Sequence, residues 1–147
     1  MKQETEKPNI ITGGSFTDAR GTLSFINNFD LLPARRFYII EHPDVSVVRA
    51  WQGHKREQKW FYVIAGSFKM VIVKPADWVV PGEEQYLREF RLHAGDNKLL
   101  HVPGGYASGF KASEPGSKLL VFSEFAVADA ASDEFRFDKD LWYDWQE

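Results

Sequence analysis

The chain has 147 residues, of which 44% are hydrophobic and 27% are charged, and its formal net charge is −3. This length supports one hydrophobic core, so a single domain over residues 1–147 is expected. The weak negative charge gives no field that would attract nucleic acid or an anionic membrane. Because the chain contains no cysteine, disulfides, thiolate nucleophiles and zinc–cysteine sites are excluded.

The N-terminal residues are polar, and no apolar run approaches the length of a membrane span. We therefore expect a soluble, cytoplasmic protein without a membrane partner. Aromatic residues make up 15% of the chain, which favours β-structure or an aromatic-lined pocket.

The first third of the chain predicts short strands joined by turns. Residues 1–8 are predicted to be a flexible leader, and short strands are predicted over residues 10–12, 21–27 and 35–40. Asp18-Ala19-Arg20-Gly21 has the composition of a type I turn, with aspartate first and glycine last. His42 falls in a second turn, before a proline, and is expected at the surface.

The next strand, predicted over residues 45–54, carries polar side chains where apolar ones are usual. Side chains alternate along a strand, so Gln52 and His54 share one face. If that face lines a barrel, leaving these groups unsatisfied costs about 1–3 kcal/mol each, so neighbours or a ligand must satisfy them. We interpret this face as ligand-binding.

A charged turn over residues 55–58 leads into the strongest β signals of the chain. Strands are predicted over residues 60–64 and 68–74, joined by a hairpin at Ala65-Gly66-Ser67. A surface excursion over residues 75–84 follows. Further strands are predicted over residues 86–93, 99–102, 106–111 and 118–127, and residues 129–147 are expected to pack on the outside of the barrel. Nine or ten strands with almost no helical periodicity predict a closed antiparallel all-β fold.

Two patches of the sequence resemble the cupin double-stranded β-helix, which is a jelly roll. One is the strand–turn–strand around Gln52 and His54, and the other is HVPGGYASGF, residues 101–110. The four positions where metal-binding cupins place their ligands hold Gln52, His54, Lys59 and Ser108. One imidazole beside a repelling ammonium does not make a metal site, so no metal is expected.

Further motifs resemble those of the metal-free cupins that act on nucleotide-linked sugars, the dTDP-4-dehydrorhamnose 3,5-epimerase superfamily with its RmlC-like fold. Asp18-Ala19-Arg20-Gly21 is similar to the Asp-x-Arg-Gly signature of these proteins. Residues 59–66 are similar to their Lys-Leu-Val-Arg-Val-Val-x-Gly motif, and residues 102–110 to their Pro-Gly-x-Ala-His-Gly-Phe motif. The similarity extends over residues 16–125.

The resemblance is nearest to the dTDP-4-oxo-6-deoxyhexose 3,4-ketoisomerases, the WxcM-like branch. Residues 49–55 match the Arg-Gly-x-His-Ala-His-Lys motif of that branch, except that Gln52 replaces its first histidine, and Arg36-Phe37-Tyr38 echoes its Arg-x-Tyr. The acid and base of the 3,5-epimerases are missing. Gln52 and Ser108 stand where those enzymes have histidines, and residues 118–122 contain no tyrosine.

The resemblance implies a nucleotide-sugar isomerase of surface-polysaccharide biosynthesis that shifts a ketone through an enediolate and needs no cofactor. His54 would be the base, Lys59 would face the developing oxyanion, and Tyr38 would add a hydrogen bond. The implied substrate-binding residues are Arg20 and Arg49 for a diphosphate, Trp51, Trp60 or Tyr62 for a nucleobase, and Gln52 and Ser108.

Other functions and roles stay open at this stage. The chain could be a non-catalytic cupin that binds a nucleotide sugar or another small ligand, or an oligomerisation module. His54 could be structural, Lys59 solvated, Arg20 a surface charge, and Gln52 a partner for backbone groups, while His101 could line the pocket. A homodimer that pairs or exchanges edge strands is expected, because exposed strand edges invite aggregation.

Overall fold

The computed structural model of the protein describes residues 6–146. Residues 1–5 of the predicted leader lie outside this range. The strands are β1 (Asn9–Thr12), β2 (Gly14–Asp18), β3 (Gly21–Phe25), β4 (Arg36–Glu41), β5 (Val48–His54), β6 (Lys59–Ala65), β7 (Ser67–Pro75), β8 (Glu84–His93), β9 (Lys98–Val102), β10 (Tyr106–Ala112), β11 (Lys118–Ser123) and β12 (Phe135–Arg136). A short helix, α1 (Val127–Ala130), and a 3₁₀ turn (Ala131–Asp133) precede β12.

Two five-stranded antiparallel sheets form the body of the fold. The first, here sheet I, has the order β1-β9-β6-β11-β4, and the second, sheet II, has the order β12-β5-β10-β7-β8. Strands β2 and β3 pair only with each other, as a separate two-stranded ribbon. Neighbours within each sheet are mostly distant in sequence, which is the pattern of a jelly roll and not of a meander.

The main core lies between the two sheets, where alternate residues of each strand point inward. Strand β7 contributes Phe68, Met70 and Ile72, and β6 contributes Phe61 and Val63 to the same cluster. The side chains that alternate with these point outward. Inward and outward positions therefore differ in environment along every strand that borders the cavity described below.

The C-terminal segment covers the outer face of sheet II. Val71, Val73 and Trp51 point to this side and are buried with Trp145 in a second apolar cluster. The Trp51 ring lies 5.5 Å from that of Trp145, centroid to centroid. Trp51 also donates a hydrogen bond from Nε1 to the Leu141 carbonyl at 2.9 Å. Strand β7 is thus buried on both faces.

Several element boundaries differ from those predicted. The strand expected over residues 118–127 ends at Ser123, because the Phe125 N–H leaves the sheet to donate to the Glu57 carboxylate. The strand expected from residue 45 begins at Val48, because Asp44 accepts the Ser46 N–H in a local turn. Strands β2 and β12 were not predicted; β12 has only two residues and pairs only with β5.

Among the described residues, no helix has the length and apolar character needed to cross a membrane.

Candidate active site

A cavity of about 580 Å³ is lined by residues of both sheets. This volume lies within the range of small-molecule sites. The charged side chains that line it are all cationic, and none of the described lining residues is a carboxylate. These cations are Arg36, Arg49, Lys59 and Arg136. The cavity is therefore suited to an anionic ligand.

Strand register explains why polar side chains meet here. Residues paired directly across antiparallel strands project from the same face of the sheet. Each sheet brings one row of three paired polar residues toward the cavity. The rows are Arg36–Ser123–Lys59 in sheet I and Arg136–Gln52–Ser108 in sheet II.

Lys59 and Tyr38 form a pair inside the cavity. Lys59 is buried, and its Nζ donates a hydrogen bond to the Tyr38 hydroxyl at 2.7 Å. The Arg36 guanidinium lies 5.1 Å from the centre of the Tyr38 ring on the same strand. Lys59 is therefore not a solvated surface lysine, and the cavity receives an ammonium and a phenol side by side.

His54 ends β5 on the same face as Gln52, opposite Tyr106 of β10. It is buried in the interior but is not among the residues that line the cavity. Its Nδ1 lies 2.9 Å from the Asp133 carbonyl oxygen. Since a carbonyl only accepts, Nδ1 carries the hydrogen and donates it. Nε2 then carries the lone pair, and it is buried with no hydrogen-bond partner among the described residues.

The surroundings of His54 favour the neutral imidazole. Burial lowers the pKa of His54, and the positive charge of Lys59 lowers it further. The hydrogen bond to the Asp133 carbonyl and the charges of Glu57 and Asp133 act in the opposite direction, but the net pKa stays below the usual value. At neutral pH the ring is an uncharged base with Nε2 free to accept a proton.

Gln52 is held in place by an acidic residue that precedes β12. Its Nε2 donates to Glu134 Oε1 at 2.7 Å, and Arg136 Nη2 donates to the same oxygen at 2.6 Å. The hydrogen bond from Gln52 is the main reason that the pKa of Glu134 is lowered. Gln52 is also the register partner of Ser108, so the two side chains project from the same face of sheet II.

Four polar residues of this region were not found by sequence reasoning: Glu57, Asp133, Arg36 and Arg136. Glu57 lies two residues before Lys59, which was a weak signal that the two share an inward direction. Asp133 and Arg136 come from the C-terminal segment, and no local pattern connects them to β5. Arg36 was quoted within a motif but was given no role.

The side chains of the aromatic residues predicted to stack on a nucleobase point away from the cavity, although Trp51 borders it. Trp51 lies under the C-terminal segment, and Trp60 is stacked on His101 at a centroid distance of 5.3 Å on the outer face of sheet I. Tyr62 follows Trp60 on that outer face, where its hydroxyl donates to Asn97. The physical reason is strand alternation, since each is one residue out of step with an inward neighbour such as Gln52.

Inward-facing aromatic side chains line the cavity instead. They are Tyr38, Phe61 and Phe110. Phe137 also borders the cavity, but it pairs with Trp51 and packs in the outer cluster of sheet II. Arg49 also lines the cavity, as predicted for a substrate-binding residue, and it is exposed toward the opening.

Arg20 is remote from the cavity within its own chain. It lies at the tip of the β2–β3 ribbon, where its side chain is 88% exposed and pairs with Asp18 at 2.8 Å. It borders only a shallow pocket of that ribbon. A single chain therefore does not bring Arg20 to this cavity.

The structure also places two other histidines, and of these only His42 differs from expectation. His42 is not a surface residue, since its ring nitrogens are buried and its ring stacks on Phe110 at a centroid distance of 5.8 Å. His101 does not line the cavity. It points outward from β9 and hydrogen-bonds to Gln58 and Asn9.

The donor set does not fit the metal centre of metal-binding cupins. Of the four corresponding positions only His54 offers an imidazole, and its Nδ1 is engaged by Asp133. Lys59 brings a cation that is already hydrogen-bonded to Tyr38. Among residues 6–146, no group of three histidine or acidic side chains is placed to hold a metal ion.

Comparison with known proteins finds similarity at the level of the fold. No protein-family model matches the chain, and no curated protein sequence does either. Among solved structures, a variant of the QdtA 3,4-ketoisomerase from Thermoanaerobacterium thermosaccharolyticum, in complex with TDP, is 22% identical with a TM-score of 0.69. The match covers 91% of this chain and 90% of QdtA.

Two further neighbours agree with this result. The WlaRB TDP-quinovose 3,4-ketoisomerase from Campylobacter jejuni is 20% identical with a TM-score of 0.69, over 90% of this chain and 95% of WlaRB. The dTDP-4-dehydrorhamnose 3,5-epimerase from Bacillus anthracis, with TDP and PPi bound, is 22% identical with a TM-score of 0.74, over 94% of this chain and 84% of that enzyme.

The fold is that of the RmlC-like cupins. The predicted jelly roll is therefore confirmed. The structural neighbours are the dTDP-sugar 3,4-ketoisomerases and 3,5-epimerases, the group that the sequence motifs indicated.

Proposed function

We propose that this protein is a nucleotide-sugar isomerase of the 3,4-ketoisomerase type, which acts on a dTDP-4-keto-6-deoxyhexose in surface-polysaccharide biosynthesis. The observation that carries the proposal is a cavity whose charged lining is entirely cationic, next to a buried, neutral imidazole with an unpartnered nitrogen. The solved neighbours are dTDP-sugar isomerases and epimerases, and several of them hold TDP, which supports the same substrate class.

The cationic lining gives the diphosphate its partners. Arg49 and Arg136 can each present two parallel N–H groups to phosphate oxygens, a geometry that guanidinium matches well. The inward aromatics Phe61 and Phe110 offer apolar faces for a sugar or a nucleobase. Arg20 keeps its predicted part in diphosphate binding only if the ribbon of a second copy reaches this cavity.

The proposed chemistry is a proton transfer between adjacent carbons. His54 Nε2 takes the proton from C3, and the electrons of the C3–H bond form a C3=C4 double bond while negative charge moves to O4. The hydroxyl proton passes from O3 to O4, and the imidazolium returns its proton to C4. The ketone has then moved from C4 to C3 with all atoms conserved and no redox partner.

Lys59 and Tyr38 would stabilise the enediolate. An ammonium in a low-dielectric cavity interacts strongly with a developing oxyanion and needs no reorganisation when it is already held in place. The hydrogen bond from Lys59 Nζ to the Tyr38 hydroxyl holds the ammonium in place. The phenol hydroxyl can in turn relay the proton between O3 and O4.

A second candidate function is non-catalytic binding of a nucleotide sugar. It is favoured by two observations, the replacement of the first motif histidine by Gln52 and the position of His54 outside the cavity lining. The cationic cavity serves binding and catalysis equally. The two candidates differ only in whether C3–H is exchanged.

Isotope exchange separates these functions. The protein is incubated with dTDP-4-keto-6-deoxyglucose in deuterated water, and C3 and C4 are followed by NMR. We expect deuterium uptake and a 3-keto product, and we expect His54→Ala to slow exchange by about 10²–10⁴-fold, the usual share of a general base. His101→Ala is the matched control, because His101 is a half-buried histidine whose ring points outward and is hydrogen-bonded to Gln58 and Asn9.

The other outcomes are equally informative. Binding without exchange at every pH from 6 to 9 would leave the non-catalytic function. No binding of TDP by calorimetry would contradict both functions.

We also propose that the protein is a homodimer. The apolar face of the β2–β3 ribbon and the outer face of β4 are both uncovered in the single chain. Their burial against a second copy would remove this surface from water.

A further inference from the structure

The turn between β5 and β6 contains a completely buried acid, Glu57. Its side chain is 0% exposed. Oε2 accepts hydrogen bonds from the Ser123 hydroxyl and from the Phe125 backbone N–H. Oε1 has no hydrogen-bond partner among the described residues. Burying a carboxylate with one oxygen unsatisfied costs free energy unless a nearby positive charge offsets it, so the charges around Oε1 determine this cost.

The free oxygen of Glu57 lies between two groups of the proposed mechanism. Oε1 is 3.3 Å from His54 Nδ1 and 4.0 Å from Lys59 Nζ. The side chains of His54 and Lys59 are themselves buried. The two oxygens of Glu57 therefore have different roles. Oε2 is held by the Ser123 hydroxyl and the Phe125 backbone N–H, and Oε1 supplies negative charge to the interior.

The other acid near His54 is engaged elsewhere. The Asp133 carboxylate accepts three backbone N–H groups, those of Lys55, Arg56 and Glu57, at 2.8–3.0 Å. Both of its oxygens are used in this way. Of the two buried carboxylates beside His54, Glu57 and Asp133, only Glu57 keeps an oxygen without a hydrogen bond among the described residues.

We propose that Glu57 is a positioning residue for this site, acting through His54 and Lys59 without touching the substrate. Its carboxylate stabilises the imidazolium that forms when Nε2 accepts a proton, and it helps to hold the Nδ1–H tautomer. It also balances the Lys59 ammonium beside Tyr38. This role rests on the proposed isomerase function.

The charges around His54 predict the direction in which a substitution at Glu57 shifts the pKa of His54. The titratable groups that face its ring are Glu57, Lys59, Asp133, Glu134 and Tyr106. Glu57 is one of the groups that raise the pKa of His54, so replacing it with a neutral amide removes a stabiliser of the imidazolium. The pKa of His54 should fall further.

The test is Glu57→Gln, which is nearly isosteric. Its amide oxygen can still accept from Ser123 and Phe125, while its NH₂ group faces two donors where Oε1 stood. We expect kcat for the isomerisation to fall by about tenfold or more with KM within about threefold, because the loss belongs to a base step worth about 10²–10⁴-fold. The acid limb of the pH–rate profile and the ¹⁵N titration of His54 should both move to lower pH.

Two further variants keep the result interpretable. Glu57→Asp retains the charge but withdraws the carboxylate by one methylene, and we expect an intermediate kcat and an intermediate His54 titration. Glu114→Gln is the matched control, since Glu114 also accepts from a serine hydroxyl, that of Ser67, away from His54. It should leave kcat and the His54 titration unchanged.

The outcomes separate this proposal from the proposed function. A folded Glu57→Gln protein with kcat and the His54 titration both unchanged within twofold would overturn the positioning role. If Glu57→Gln does not fold, the same criterion applies to Glu57→Asp. If the unsubstituted protein shows no exchange at all, the isomerase function fails, yet the ¹⁵N titration still decides whether Glu57 controls the charge of His54.

Discussion

The two ring nitrogens of His54 have different environments, and this difference defines the site. Nδ1 is tied to the Asp133 carbonyl and lies close to Glu57, whereas Nε2 is buried without a partner. A free, desolvated nitrogen on a neutral ring is what a general base requires. The same burial raises the free-energy cost of protonating His54 in the absence of a ligand.

The pH dependence of stability follows from three histidines. Burial is the main cause that lowers the pKa of His42, His54 and His101. In the unfolded chain they titrate near the ordinary value of about 6.5. Just below that pH the unfolded state binds more protons than the folded state, so the free energy of unfolding falls as the pH falls.

We therefore expect the free energy of unfolding to decrease from pH 7.5 to pH 5.5, as measured by urea denaturation at fixed salt. The His101→Asn variant should show a shallower decrease, because it removes one of the three groups. A free energy of unfolding that rises toward pH 5.5 would contradict the lowered pKa values.

At the scale of elements, the turn between β5 and β6 is shaped by a residue from the C-terminal segment. The Asp133 carboxylate accepts the backbone N–H groups of Lys55, Arg56 and Glu57, so it caps the turn as an N-cap residue caps a helix. The same residue offers its carbonyl to His54. The segment that precedes β12 thus sets the geometry of both the turn and the His54 ring.

We expect Asp133→Asn to lower the free energy of unfolding by about 1–3 kcal/mol, because its NH₂ group faces a backbone donor that then lacks an acceptor. Urea denaturation measures this change. Asp129→Asn is the control, since Asp129 is exposed on α1, and its effect should stay within about 0.5 kcal/mol. Equal effects of the two substitutions would show that the Asp133 bonds contribute nothing specific.

At the scale of the whole molecule, two apolar surfaces are left uncovered. One face of the β2–β3 ribbon carries Phe16, Leu23 and Phe25, and the outer face of β4 carries Phe37 and Ile39; all five are exposed. A two-stranded ribbon alone is only marginally stable in water. Patches of this kind are typical of protein–protein interfaces.

We expect the protein to be a dimer by size-exclusion chromatography with light scattering, and the double variant Phe37→Glu, Ile39→Glu to be a monomer. Charges placed on this face would be buried unpaired in a dimer, which is costly. Val79→Glu is the control, because Val79 is 85% exposed in the β7–β8 connection. A monomeric unsubstituted protein, or a double variant that stays dimeric, would contradict the homodimer.

Sequence alone determined the fold class and the inward direction of the central polar residues. Period-two alternation placed Gln52 with His54, the turn signals predicted a closed antiparallel all-β fold, and the motif resemblance implied a jelly roll. Strand alternation, applied strictly, also places Trp51 on the opposite face from Gln52. The prediction that Trp51 stacks on a nucleobase in the cavity therefore conflicted with the alternation pattern of the sequence. The residue types alone argued against a metal centre, since a lysine occupies a ligand position.

Only the tertiary structure decided which distant groups complete the site. Asp133 lies 79 residues from His54, and Glu134 lies 82 residues from Gln52. Likewise, the hydrogen bonds that hold Glu57 come from Ser123, the last residue of a strand that pairs with β6, and from Phe125, which follows that strand. Alternation is a property of the local backbone and can be read from neighbouring residues, whereas these contacts arise when strands far apart in sequence pair and bring their side chains together.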